Sequence, residues 1–106
     1  MRKILVIGGT GFIGYHIIKE AKKRNYSIYS ISLKNPKKKR FLQKVNYIKA
    51  DISKYNQLKK KLSKNFDYVV NAGGYGIHPK HGKEGEKLIR THYLGLQNIL
   101  KILNLK

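Results

Sequence analysis

A chain of 106 residues is one domain at most, with room for a modest core. It has no cysteine, which excludes a disulfide framework and a thiolate metal site and fits a reducing, cytoplasmic setting. Lys and Arg number 24 against 5 acids, a formal charge of +19 that attracts polyanions whatever the fold. No apolar run approaches the roughly 18 residues that a spanning helix needs, so a soluble protein without membrane insertion is expected.

The basic residues are spread along the chain and form no single stripe, which favours a solvated surface over a dedicated nucleic-acid face. Met1-Arg2-Lys3 and the apolar run behind them imitate a signal peptide, but glycines interrupt the run and no small-residue cleavage site follows.

The run Lys3-Ile4-Leu5-Val6-Ile7 reads as a short buried strand. It leads into Gly8-Gly9-Thr10-Gly11-Phe12-Ile13-Gly14, after which Ile13, Ile17, Ile18 and Ala21 recur at helical spacing. Glycines at a strand-to-helix turn let a pyrophosphate approach unpaired N–H groups at the positive end of a helix. Gly9, Gly11 and Gly14 fit the dinucleotide spacing GxGxxG, and Gly8, Gly11 and Gly14 fit the wider GxxGxxG.

The helix ends near Lys22-Lys23-Arg24-Asn25, and Tyr26 to Ser32 read as the second strand from their β-branched and aromatic content. Ser32 lies 24 residues beyond Gly8, about where a dinucleotide-binding unit meets the adenosine ribose. An acid there would repel a 2′-phosphate; a hydroxyl followed by Lys34 and by Lys37 to Arg40 tolerates one. NADP is therefore favoured over NAD, with Lys34 as the candidate cation and the rest of the lysine run as a solvated loop.

Val45 to Ala50 read as the third strand and run into Asp51-Ile52-Ser53. Asp51 has two readings, an acceptor for an adenine amino group or a cap for the helix carrying Tyr55, Leu58 and Leu62. Phe66 to Ala72 read as the fourth strand, ending in Gly73 and Gly74 at the sheet edge where α/β ligands bind. The loop 77–85 holds His78 and His81 without a Cys or a placed carboxylate, so it reads as a substrate-side loop and no metal is expected. Leu88, His92, Gly95, Ile99 and Leu103 define a last helix running to Lys106, with Gly95 implying close packing on a neighbour. Strands alternating with helices predict a Rossmann-type, doubly wound α/β fold with four parallel strands in the order 3-2-1-4.

Taken in order, Gly8 to Gly14, Asp51-Ile52, Asn71-Ala72-Gly73-Gly74 and Thr91 to Asn98 resemble the N-terminal part of the extended short-chain dehydrogenase/reductase family, in its nucleotide-sugar epimerases and dehydratases. The resemblance implies that Gly8, Gly11, Phe12 and Ile13 line the cofactor pyrophosphate, with Thr10 and Gly14 in the same turn. It further implies that Asp51 and Ile52 line the adenine, and that Ala72, Gly73 and Gly74 line the path to the nicotinamide. His92 stands where the family has Asn. The family's catalytic Ser or Thr and its Tyr-x-x-x-Lys pair have no counterpart here. Tyr15 with Lys19 and Tyr55 with Lys59 match that spacing by chance in a Lys- and Tyr-rich chain.

The expectation is therefore an NAD(P)-binding Rossmann domain over residues 1–106, truncated, that serves a sugar-nucleotide epimerase, dehydratase or reductase and does not turn over alone. The fourth strand would lie at an open sheet edge, favouring association, for instance as a homo-oligomer, or partial disorder. The alternative is a non-catalytic Rossmann-like module whose basic surface binds RNA or DNA.

Overall fold

The computed structural model describes residues 1–62, 65–72 and 94–105. The elements are β1 (Lys3–Ile7), α1 (Phe12–Lys23), β2 (Ser27–Ser32), a 3-10 turn (Lys38–Arg40), β3 (Val45–Lys49), α2 (Tyr55–Lys61), β4 (Asn65–Phe66), β5 (Tyr68–Asn71), a helix α3 over residues 94–102, and β6 (Asn104–Leu105). Four of the strands form one parallel sheet in the order β3-β2-β1-β5. This is the Rossmann-type order expected from the sequence, with β5 as the fourth strand.

β1 is central and apolar on both faces, as a strand covered on two sides must be. Ile4 and Val6 meet Ile28 of β2 and Ile18 and Ala21 of α1 on one face. Leu5 and Ile7 meet Ile31, Leu58 of α2, and Ile99 and Ile102 on α3 on the other. At about 1.5–3 kcal/mol for each fully buried aliphatic side chain, these two layers hold the helices to the sheet. The register pairs Ile7 with Ile31 and with Asn71, and Ser32 with Lys49, so the strand ends form one carboxyl edge.

Three expectations are corrected by the structure. The expected fourth strand is broken at Asp67: its Oδ2 accepts the Lys3 backbone N–H at 2.8 Å, and its own N–H donates to the Lys3 carbonyl at 2.8 Å. An Asp fits a pleated ladder poorly, so Asn65 and Phe66 leave β1 and pair in parallel with Asn104 and Leu105. The last helix stops at residue 102, where the Leu103 N–H still donates to the Ile99 carbonyl at 2.9 Å before the chain extends into β6. Ile13, expected on the apolar face of α1, is 60% exposed, and the buried face is carried by Gly14, Ile18 and Ala21.

No described strand pairs with the other edge of β5. Within the described residues no helix is long and apolar enough to cross a membrane.

Candidate cofactor-binding site

The glycine turn leaves β1 at the carboxyl edge, where the Gly8 N–H donates to the Ile31 carbonyl at 2.8 Å and ties the turn to β2. Gly8 has φ 81°, a left-handed conformation that glycine adopts without strain. A Cβ on Gly9 would overlap Ser30 Oγ and lie 2.7 Å from Ile18 Cδ1. A Cβ on Gly14 would overlap the Gly8 carbonyl oxygen and lie 2.6 Å from Gly9 Cα. Gly11 differs, since its Cβ would meet nothing nearer than the Gly8 oxygen at 3.6 Å. Backbone conformation or packing thus requires glycine at 8, 9 and 14, while 11 is exposed and open to whatever approaches the turn. Both glycine spacings coexist in one turn.

Gly11 is also the N-cap of α1, with φ −80° and ψ 176°. No side chain caps this helix and no acid lies in its first turn. The N–H groups of Phe12, Ile13 and Gly14 have no partner among the described residues. Uncapped donors, the positive end of the helix and a bare Cα facing outward form a cradle that fits a pyrophosphate. Phe12 at 65% and Ile13 at 60% exposure flank it as an apolar rim, with the Phe12 ring edge-on to His16.

Ser32 closes β2 at the same edge, and its Oγ is covered and has no hydrogen-bond partner among the described residues. Ser30, one pleat earlier, likewise has an unpartnered hydroxyl beneath Gly9. Lys34 is exposed. The cation that reaches the turn is Arg40: from the 3-10 turn its Nη1 donates to the Thr10 carbonyl at 3.4 Å. Reading the sequence alone misses this, because Arg40 sits in a lysine-rich loop and only packing brings it over Thr10.

Asp51 follows β3. Its Oδ1 accepts from the Ser53 hydroxyl at 2.6 Å and the Ser53 N–H at 3.0 Å. The hydroxyl bond, with smaller help from the N–H and Lys54, outweighs burial and holds the carboxyl below the ordinary carboxylate range. Of the two readings of Asp51, the capping one changes form, since the N-cap of α2 is Lys54 and Asp51 turns the chain just before it. Oδ2 has no partner among the described residues. Ile52 is half-buried against α3.

Ala72 is half-buried and gives its N–H to the Ile7 carbonyl at 2.8 Å, beside the start of the glycine turn. Gly73 and Gly74 lie outside the described residues, as do His78, His81, Leu88, Thr91 and His92. Tyr15 and Tyr55 carry Lys19 and Lys59 over their rings at 5.6 and 6.0 Å, as cation–π pairs one helical turn apart.

The sequence model of the NAD dependent epimerase/dehydratase family matches residues 4–105. The chain belongs to that family. Among curated relatives it is 47% identical over 68 residues to the bifunctional polymyxin resistance protein ArnA of Wigglesworthia glossinidia brevipalpis, covering 60% of this chain and 10% of that protein. It is 32% identical over 90 residues to the phenylcoumaran benzylic ether reductase Pyrc5 of Pyrus communis, covering 76% of this chain and 29% of that one. Among solved structures, the UDP-glucose 4-epimerase of Thermus thermophilus, in complex with NAD, shares the fold. Its TM-score is 0.73 at 19% identity, over 94% of this chain and 33% of the epimerase. The chain thus spans a third or less of the length of each of these proteins. The epimerase/dehydratase family is NAD-dependent by description, and the cradle at Gly11 fits that cofactor.

Proposed function

We propose that residues 1–106 are the dinucleotide-binding domain of an NAD(P)-dependent epimerase, dehydratase or reductase acting on a sugar nucleotide. The observation that carries this is Gly11, the one glycine of the turn that the fold itself does not need, at the uncapped start of α1. The N–H groups of residues 12–14 would hold the pyrophosphate, with Gly8, Thr10, Gly11 and Gly14 shaping the turn and Phe12 and Ile13 at its rim. Asp51 and Ile52 would face the adenine, and Ala72, Gly73 and Gly74 the nicotinamide side. When bound, the dinucleotide supplies a ring that accepts or returns a hydride.

Arg40 supports the preference for NADP. It is anchored on the Thr10 carbonyl through one nitrogen, which leaves other guanidinium donors for an anion beside the turn. Ser32, whose unpartnered hydroxyl would reach a ribose oxygen after a rotamer change, replaces the acid that would repel a 2′-phosphate. This chain's residues bind and orient the cofactor. The proton-moving Tyr-x-x-x-Lys pair has no counterpart among them, so these 106 residues alone are expected to bind without turnover.

Calorimetric titration of the folded chain with NADP and NAD at moderate salt tests this. The expected result is saturable binding, tighter for NADP, with Arg40→Met reducing the NADP-to-NAD preference by about tenfold. Absence of binding to a chain shown to be folded would overturn the proposal.

A further inference from the structure

The segment after β3 is gripped from a distant part of the chain. On α3, Asn98 donates from Nδ2 to the Ile52 carbonyl at 2.9 Å. Three residues earlier, a Cβ on Gly95 would overlap Cγ1 and Cδ1 of Ile52 and lie 3.2 Å from its Cβ. Residues three apart share one helix face, so this face of α3 holds Ile52 by its carbonyl and leaves room for its side chain.

The Ile52 carbonyl lies beyond the last paired residue of β3 and has no ladder partner among the described residues. Without Asn98 this half-buried acceptor loses its donor, and the loop has a reason to rearrange. Next to it, Asp51 commits Oδ1 to Ser53 and leaves Oδ2 without a partner among the described residues. The Ala50 N–H, donating to the Ser32 carbonyl at 2.9 Å, fixes the same loop beside the end of β2. The carboxyl edge therefore presents one unused carboxylate oxygen whose position depends on Ile52, and so on α3.

We propose that Asn98 is a positioning residue for recognition of an exocyclic amino group. By holding the Ile52 carbonyl it sets Asp51 Oδ2 to accept a hydrogen bond from the adenine amine, while Gly95 lets α3 approach closely enough for this. The inference rests on the dinucleotide reading above, with Asp51 facing the adenine, and adds the residue on α3 that positions it.

The test compares NAD with its hypoxanthine analogue, in which a carbonyl replaces the adenine amine, by titration of the full chain. Wild type should favour NAD by about tenfold, as a charge-assisted hydrogen bond allows. Asn98→Asp keeps the shape but has no donor for the carbonyl, and Asn98→Ala removes the group. Both should bring the ratio near one while affinity for the analogue stays within about twofold. A merely structural role would weaken both ligands alike and leave the ratio intact, and that result overturns the proposal. Equal binding of the two ligands by wild type also overturns it, with the dinucleotide reading left standing; no binding of either removes both. If the variants do not fold, the side-chain amide signals of Asn98 in wild type decide. They should shift with adenosine monophosphate and not with inosine monophosphate, and equal response to the two overturns the proposal.

Discussion

Gly11 and Gly14 lie one helical turn apart, and the fold treats them differently. At Gly14 the obstructing atoms are the backbone of Gly8 and Gly9, which cannot swing aside as a side chain would. Gly14→Ala should therefore destabilise the chain at or above the upper end of the ~1–3 kcal/mol usual for overpacking, read by denaturant unfolding. Gly11 has the extended backbone of an N-cap, a position where Asp is among the preferred residues. Gly11→Asp should leave the unfolding midpoint unchanged or raise it, yet abolish dinucleotide binding by placing a carboxylate where the pyrophosphate approaches. Loss of fold in this variant would show that the glycine is structural after all. Such a split between stability and binding separates a ligand-facing glycine from a packing one.

At the scale of elements, one carboxylate shapes the start of the loop between β3 and α2. Ser53 hydrogen bonds hold the Asp51 pKa below its ordinary value, so the unfolded chain takes up the proton first as pH falls. The stabilisation is complete above about pH 4, the range in which an unfolded Asp titrates, and is lost as pH falls through the lower folded value. Ser53→Ala should return the Asp51 carboxyl signal in a carbon-detected NMR titration toward the ordinary range and weaken the acid dependence of stability. An unshifted titration in wild type would refute the assignment. At the other end of the sheet a carboxylate also decides an element, since Asp67 bonded to the Lys3 backbone divides an apparently continuous strand into β4 and β5.

For the whole molecule, charge dominates. Arg24 pairs with Glu20 at 3.4 Å, both exposed, against a net charge of +19. Such a pair contributes little, while repulsion among the remaining cations opposes compaction. The melting temperature should rise by several degrees between 10 and 300 mM sodium chloride as the Debye length shrinks from about 30 Å to under 8 Å, followed by circular dichroism. A melting temperature independent of salt would mean that local anion sites outweigh the general field. Several rings that could stack on nucleobases are engaged with the chain's own cations, Arg2 over Tyr68 at 5.8 Å and Lys3 over Tyr29 at 4.9 Å. The charge thus supports attraction to polyanions without making those rings a stacking platform.

Much of this protein is legible in the residues alone. An apolar run, four glycines and a helical repeat are neighbours along the chain, so local sterics and periodicity locate the turn, its strand and its helix with no knowledge of the remainder. Alternating strands and helices then imply the parallel sheet, and the glycine turn with Asp51-Ile52 and Asn71 to Gly74 in their order carries the resemblance to the family. What the sequence could not decide are contacts between segments far apart in it. That Gly11 is the glycine spared by packing depends on Ser30 of β2 closing on Gly9, while the obstruction at Gly14 comes from within the turn itself. That Arg40, and not Lys34, reaches the turn depends on a contact spanning 30 residues, and the grip of Asn98 on Ile52 spans 46. Propensity and spacing act over about one helical turn, whereas these contacts exist only once the crossovers have packed and a side chain's reach is measured through space.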